Sequence, residues 1–324
     1  MKAMRVTQYG DPSVLKLEEV ERPKPGPGEA LIRVHAAGVN YADIYFRNGS
    51  ARIPIPFPFT PGIEGAGVVE AVGDGVSEVK PGDRVAYPTM NIGSYAEYQA
   101  VKVANLAPLP NEVSFEDGAA VILQGLTAHY LLHEFYSVKR GSTVLVHAAA
   151  GGMGLLLVQW LKHMGAVAIG TVSTEEKAKI AREAGADHVI LYTKQDFAEE
   201  AKKLTGGKGV NYIIDGVGKT TFTKNYDALA NRGWATVFGM ASGPADPVGP
   251  NSLMTKALTI SGGSLFNYMA TRDELLRRAS DVFAGLREGW LKLRIHRVFP
   301  LAQAAEAHRL LEGRETTGKL ILKT

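Results

Sequence analysis

Val144-Leu145-Val146-His147-Ala148-Ala149-Ala150-Gly151-Gly152-Met153-Gly154, running on into Leu155-Leu156-Leu157-Val158-Gln159-Trp160, decides the fold of this 324-residue chain. Its Val-rich apolar run predicts a buried parallel strand. A turn built only of Ala and Gly follows, and then an apolar-periodic segment long enough for a helix. Ala149, Gly151 and Gly154 stand at the Gly-x-Gly-x-x-Gly spacing, with Ala in the first slot. That spacing serves close approach: glycine lets the backbone touch a pyrophosphate and lets helix pack on strand. The helix N-terminus adds unpaired N–H groups and the positive end of its dipole. The stretch therefore predicts a dinucleotide cradle, provided strand–helix alternation continues around it.

Downstream it does continue. From about 125 to 265 strand candidates at Thr143-His147, Val167-Val172, His188-Leu191, Val210-Asp215, Trp234-Met240 and Leu258-Gly262 alternate with helical stretches. The helices are expected at Leu155-Met164, Glu175-Glu183, Phe197-Leu204, Thr221-Asn231 and near Ser252-Lys256. This alternation implies a doubly wound parallel sheet whose ligand lies at the carboxyl ends of the strands.

Upstream the grammar differs. Residues 1 to about 122 are short alternating runs (Leu15-Leu17, Ala30-Ala37, Gly67-Val72, Arg84-Tyr87, Ser94-Val101) punctuated by Pro and Gly, which predicts an irregular β-barrel-like domain. Ile53 to Pro61 reads as a rigid surface crossing, and Phe115 to Tyr136 as helices leading out of the domain. After Gly263 a helix at about Arg272 to Glu288, a strand at Leu291-Val298, a helix at Leu301-Glu312 and a strand at Lys319-Lys323 are expected to return to the first domain.

Composition excludes several functions. With no cysteine, the chain has no disulfide, thiolate metal ligand or Cys nucleophile. A formal charge of +3, evenly spread, offers nucleic acid no basic stripe. No segment has the length of a transmembrane helix, and the N-terminus enters a strand pattern without a signal-peptide core, so a cytoplasmic location is expected. Gly313 to Lys319 has P-loop spacing, but Leu320 replaces the Mg-binding hydroxyl and a helix precedes it. His133-Glu134 lacks the second histidine of a zinc-protease helix, His35 and His147 read as structural, and no serine elbow occurs.

The cofactor's identity turns on the tip of strand Val167-Val172. An NAD-binding unit places an acidic residue there, whereas this chain has Ser173. The nearby glutamates are explained by a capping box, Ser173-x-x-Glu176. Lys177, one turn into the helix, is placed to reach a 2′-phosphate, and NADPH is expected.

Motifs along nearly the whole chain now carry a resemblance: Gly38 to Asp43, Pro61 to Val69, Lys80 to Val85, Gly125 to Ala128, Gly141 to Gly154 and Thr317 to Leu320. Together they resemble the medium-chain dehydrogenase/reductases, in particular the zinc-independent quinone oxidoreductase, or zeta-crystallin-like, branch. The resemblance implies an α/β fold: a Rossmann doubly wound parallel sheet at 125–265 binding NADPH, plus a GroES-like β-barrel catalytic domain from 1–124 and 266–324. In the zinc alcohol dehydrogenases of this superfamily, Cys occupies the place of Asn40, His that of Ile63, and a further Cys falls near Leu123-Gln124. None is retained, so no metal site is expected.

By the same resemblance Asn40, Tyr45 and Gln124 are the catalytic candidates, with Tyr45 donating to a developing oxyanion, Asn40 positioning the ring or acceptor, and Arg47 a further donor candidate. Cofactor contacts are implied for Thr127 at the nicotinamide, Gly151, Gly152, Met153 and Gly154 at the pyrophosphate, and Ser173, Lys177 and Tyr192 at the 2′-phosphate end. Phe238, Gly239 and Met240 are implied at the ribose and nicotinamide. Ala51-Arg52-Ile53 departs from the family's loop, so the acceptor pocket is not transferable from relatives. The activity implied is metal-free hydride transfer from NADPH to a quinone. The alternatives are an NADPH-dependent enone or alkenal reductase, or a non-catalytic NADPH-binding structural or regulatory protein. The partners implied are a small-molecule quinone or enone and, through an edge strand at Leu258-Gly263, a second copy in a homodimer.

Overall fold

The computed structural model describes residues 1–51 and 53–324; Arg52, in the loop singled out above, lies outside them. In chain order come β1 Lys2–Arg5, β2 Lys16–Glu19, β3 Glu29–Val39, α1 Tyr41–Asn48, β4 Glu64–Val72, β5 Arg84–Pro88, β6 Tyr98–Lys102, β7 Ala107–Pro108 and α2 Phe115–Tyr130. Next are β8 Thr143–Val146, α3 Gly152–His163, β9 Val167–Val172, α4 Glu175–Glu183, β10 His188–Leu191 and α5 Phe197–Leu204. Then follow β11 Val210–Asp215, α6 Phe222–Ala228, β12 Leu229–Val237, β13 Thr259–Gly262, α7 Arg272–Glu288, β14 Ile295–Pro300, α8 Ala304–Glu312 and β15 Lys319–Lys323. Two compact units result: Met1–Leu126 with Tyr268–Ala284 and Leu293–Thr324, and Thr127–Asn267 with Gly285–Lys292.

In the first unit the main sheet runs β14-β15-β3-β4-β5-β7, with β6 also paired to β3. The last strand, β15, lies antiparallel to β3, Leu320 opposite Val39. Its inward residues join one apolar core with Met4, Phe46, Phe59, Ile63, Tyr95 and Phe299. Burial of such side chains contributes about 1.5–3 kcal/mol each, and it anchors α1 against the barrel.

In the second unit six parallel strands run β10-β9-β8-β11-β12-β13. The chain winds outward from β8 on one side and restarts at β11 on the other. The order therefore reverses between β8 and β11, where doubly wound sheets bind ligands. Val144, Leu145 and Val146 are fully buried, as are Tyr212, Ile213 and Ile214, which explains their continuous rather than alternating apolarity.

The alanine in the first glycine slot has a structural counterpart. Gly170, on β9, faces it: a Cβ there would stand 2.6 Å from the Ala149 Cβ. The space that the fingerprint's first glycine leaves open is thus left open by Gly170. Gly170→Ala should destabilise the chain by about 1–3 kcal/mol through overpacking. Adding Ala149→Gly should recover most of the loss in a denaturation series; strictly additive losses would refute the complementarity.

Several boundaries depart from the sequence expectation. Helix α4 is capped by Thr174, whose side chain accepts from the Lys177 N–H at 3.2 Å, so Ser173-x-x-Glu176 is not the capping box. The expected helix Thr221-Asn231 ends at Ala228, because the longer β12 already pairs with β11 from Leu229. The strand expected at Ser94-Val101 is β6, Tyr98–Lys102, and that expected at Leu291-Val298 is β14, Ile295–Pro300. In the strand cases pairing partners distant in sequence set the ends, which local patterning does not contain.

Candidate active site

Both units carry clusters of polar groups. In the second unit Gly151 caps α3, with Gly152, Met153 and Gly154 in its first turn. Their N–H groups have no partner within the helix. Gly154 is where helix and turn meet, since a Cβ there would stand 2.4 Å from the Ala148 carbonyl oxygen. Ser173 follows β9 and Tyr192 follows β10, with the Tyr192 N–H bonded to the Val172 carbonyl at 3.1 Å. Tyr192 is 44% exposed. Lys177 sits at the third position of α4, beside Ser173, and Lys194 pairs with Glu175 at 3.6 Å at the same corner. Phe238, Gly239 and Met240 follow β12, and the Phe238 N–H is bonded to the Asp215 carbonyl at 3.0 Å. The structure thus brings Gly151–Gly154, Ser173, Lys177, Tyr192 and Phe238–Met240 to the carboxyl ends of one sheet. Thr127, buried on α2, belongs to this unit as well.

Beneath the cradle lies a buried network that sequence reading missed. Asp215 accepts from the Val217 and Gly218 N–H groups at 2.7 and 3.0 Å, from Thr221 Oγ1 at 2.7 Å and from Asn225 Nδ2 at 2.7 Å. A carboxylate only accepts, so Asn225 must present its amide nitrogen to Asp215 and its oxygen to His147 Nε2, 2.9 Å away. His147 Nε2 therefore carries the proton, and Nδ1 accepts from Thr171 Oγ1 at 3.0 Å. His147 is a satisfied structural histidine, as its sequence context suggested. His35 is held differently, stacked on Phe115 with ring centroids 4.4 Å apart. Its Nε2 has no partner among the described residues, and burial lowers its pKa.

In the first unit Asn40 caps α1 and Tyr45 lies on it, half-buried. Asn40 is only 6% exposed and its amide is engaged at both ends: Nδ2 donates to Glu64 Oε2 at 2.9 Å and to the Gly38 carbonyl at 3.3 Å, and Oδ1 accepts from Lys319 Nζ at 2.6 Å. Glu64 Oε2 also takes Lys319 Nζ at 2.6 Å, and Glu64 Oε1 takes the Leu123 N–H at 2.6 Å, next to half-buried Gln124. Asn40 and Gln124 are thereby tied to one carboxylate. Neither Glu64 nor Lys319 was read as functional, although a Glu and a Lys set inside apolar strand patterns were visible signals. Lys319 closes the P-loop-like spacing, yet its ammonium is spent on this buried pair.

A second chain of hydrogen bonds starts at Arg47. The sequence offered Arg47 as a donor to the acceptor; the structure buries it to 1% exposure in an ion pair with Glu312 at 2.6 Å. Arg47 Nη1 lies 3.1 Å from His308 Nδ1, His308 Nε2 lies 3.1 Å from Tyr95 Oη, and Tyr95 Oη donates to Asp43 Oδ2 at 3.0 Å. Arginine has only donors, so His308 Nδ1 accepts, Nε2 donates to Tyr95, and Tyr95 donates to Asp43. Asp43 also takes the Asn40 and Ile63 N–H groups at 2.8 and 3.1 Å, fixing the start of α1. Burial, with the Arg47 charge added, lowers His308 to about 3, whereas burial raises Asp43 to about 7 against three donors.

A glycine-turn nucleotide unit joined to a β-rich unit with buried acid–amide clusters defines a nicotinamide-dependent oxidoreductase of the two-unit dehydrogenase class. Residues 152–281 match the zinc-binding dehydrogenase family and residues 26–111 the alcohol dehydrogenase GroES-like domain. The chain is 41% identical to the 2-haloacrylate reductase of Burkholderia sp, over 98% of this chain and 97% of that protein. It is 41% identical to the quinone oxidoreductase of Pseudomonas aeruginosa, over 99% of each. The Escherichia coli quinone oxidoreductase solved with NADPH superposes with a TM-score of 0.97 at 38% identity, covering 100% of both chains. This chain belongs to the medium-chain dehydrogenase/reductase family, in its quinone oxidoreductase branch.

The family's zinc does not fit the residues present. Asn40 offers an amide already bonded to a carboxylate and an ammonium, Ile63 is packed in the apolar core, and Leu123-Gln124 offers at most a neutral amide in place of a thiolate. Among the described residues no group of three or more His, Cys, Asp or Glu is placed to hold a metal ion. No helix among them is long and apolar enough to cross a membrane.

Proposed function

We propose that this chain is an NADPH-dependent quinone oxidoreductase. The observation that carries the reading is the fate of the family's zinc-ligand places, now a saturated amide, a core isoleucine and the Leu123-Gln124 pair, a set without a thiolate or an imidazole. A carbonyl substrate that needs a Lewis acid finds none in these side chains, whereas a quinone or enone is electron-poor already. When bound, NADPH supplies a hydride. Gly151–Gly154 would hold the pyrophosphate, Ser173, Lys177 and Tyr192 the adenosine 2′-phosphate end, and Thr127 and Phe238–Met240 the nicotinamide ribose. In the first unit the Tyr45 hydroxyl is the donor for the oxyanion that forms as the acceptor takes up hydride, with Asn40 and Gln124 orienting the reactants. One proton from a hydroxyl donor or water then completes the hydroquinone.

Steady-state oxidation of NADPH with small quinones tests this directly. Turnover is expected, and absence of turnover with every quinone and enone, despite tight NADPH binding, would favour a binding protein instead. The identity shared with a 2-haloacrylate reductase supports a second reading, reduction of an activated alkene. Comparing kcat/KM for a quinone with that for an alkenal and a 2-haloacrylate separates the two.

Lys177→Ala should weaken NADPH about tenfold or more while leaving NADH nearly unchanged, since only NADPH carries the 2′-phosphate. Equal losses in titrations of both cofactors would remove Lys177 from that role. We also infer a homodimer in the cytoplasm. Among the described residues β13 pairs with β12 on one side and leaves its other edge open, and Met254, five residues before it, is 74% exposed. A monomer in sedimentation at micromolar concentration would end the dimer, and recovery in a membrane or secreted fraction would end the location.

A further inference from the structure

We propose that Glu64 and Lys319 form the positioning pair of the acceptor half-site, one buried carboxylate–ammonium couple that orients the Asn40 amide and the Leu123–Gln124 segment of α2. The proposal deepens the functional reading above and rests on it for the roles of Asn40 and Gln124.

The argument is one of donors and acceptors. Lysine only donates, so the Asn40 atom 2.6 Å from Lys319 Nζ must be its oxygen. Glutamate only accepts, so the Asn40 atom 2.9 Å from Glu64 Oε2 must be its nitrogen. The pair therefore admits a single orientation of the amide, and swapping O and N would break both contacts. Both Asn40 N–H bonds are spent, on Glu64 and on the Gly38 carbonyl. Asn40 therefore has no N–H left to give a developing oxyanion. That leaves the donor's part to Tyr45.

The other Glu64 oxygen reaches a different element. The Leu123 N–H lies 2.6 Å from Oε1, within a helix whose next residue is Gln124. A helical N–H normally serves the carbonyl four residues back; here the carboxylate draws on it and so sets the helix against β4. The ion pair is 0% and 4% exposed. Burial of such a pair gives stability little advantage over a well-packed apolar pair, so its presence calls for another reason, and orientation of two candidate catalytic side chains supplies one.

The test combines kinetics with a readout independent of turnover. Glu64→Gln/Lys319→Met removes both charges and leaves no ion unpaired. It should fold and bind NADPH within about twofold of wild type, yet lose about tenfold or more in kcat with a quinone, because misplacement of reacting groups is costly. On an Asn40→Ala background the same double substitution should cost clearly less in kcat than it does in wild type, the remainder being the part carried by the Leu123–Gln124 segment, since effects routed through one residue are not additive. In ¹⁵N-asparagine spectra the Asn40 Nδ2 resonances, assigned with Asn40→Ala, should show slow hydrogen exchange in wild type and fast exchange in the double variant. If the double variant does not fold, Glu64→Gln alone, which keeps the shape of the side chain and removes the carboxylate, carries the same comparisons.

Wild-type kcat in the double variant, a loss fully additive with Asn40→Ala, or unchanged Asn40 exchange would each overturn the proposal. A wild-type protein without quinone turnover would defeat the functional reading instead, and the exchange measurement would still decide whether the pair orients Asn40.

Discussion

Gly154→Ala is expected to lower the unfolding midpoint by several degrees and to remove most of the affinity for NADPH. The added Cβ would stand 2.4 Å from the Ala148 oxygen and 2.6 Å from the Ala149 Cα, both main-chain atoms that have no rotamer to change. Relief requires α3 to move away from β8, and overpacking of this kind costs about 1–3 kcal/mol. The same movement displaces the N–H groups of Gly152, Met153 and Gly154 from the phosphate they would bind, at about tenfold in affinity for each 1.4 kcal/mol lost. Gly249→Ala is the control, because nothing lies within 4 Å of a Cβ there. Calorimetry and fluorescence titration read both effects. A Gly154→Ala protein as stable and as tight as the Gly249→Ala control would show that the turn is not the cradle.

The second large effect is on pH dependence. His308 has its pKa lowered from 6.5 to about 3, so it favours the folded state above pH 6.5 and that contribution is lost as pH falls toward 3. Asp43 has its pKa raised from 3.8 to about 7, so its contribution is complete below pH 3.8 and is lost as pH rises through 7. Between about pH 6.5 and 4 the folded state holds one extra proton on Asp43 and lacks one on His308. The two slopes oppose each other. His308→Gln leaves the Asp43 slope alone, and stability relative to wild type should rise by about 1.4 kcal/mol per unit as pH falls across this window. Asp43→Asn should show the opposite slope. Because every other titrating group cancels in the difference, urea unfolding at a series of pH values measures the two directly. Variants whose midpoints run parallel to wild type would refute the assignment.

Physical locality explains how much of this molecule was legible in its sequence. Val144–Gly154 and the alternation after it announce a doubly wound sheet because strand period, helix period and glycine spacing are properties of neighbours along the chain. Ser173, Lys177 and Tyr192 could be placed at one corner for the same reason: each directly follows a strand or opens a helix. The capping residue was misread by one position because Ser173 and Thr174 both carry hydroxyls, and only backbone geometry at Thr174 chose between them.

Residue identity along the chain was enough for the family, the loss of the zinc ligands and the class of chemistry. Tertiary structure alone decided the partners of the polar residues. Lys319 reaches Asn40 across 279 residues and Glu64 across 255, and Arg47 meets His308 across 261. Hydrogen bonds between groups so distant leave no periodicity or spacing to read. Burial then gives those bonds their force, turning a P-loop-like lysine into half of a buried ion pair and a donor-candidate arginine into the head of a buried chain.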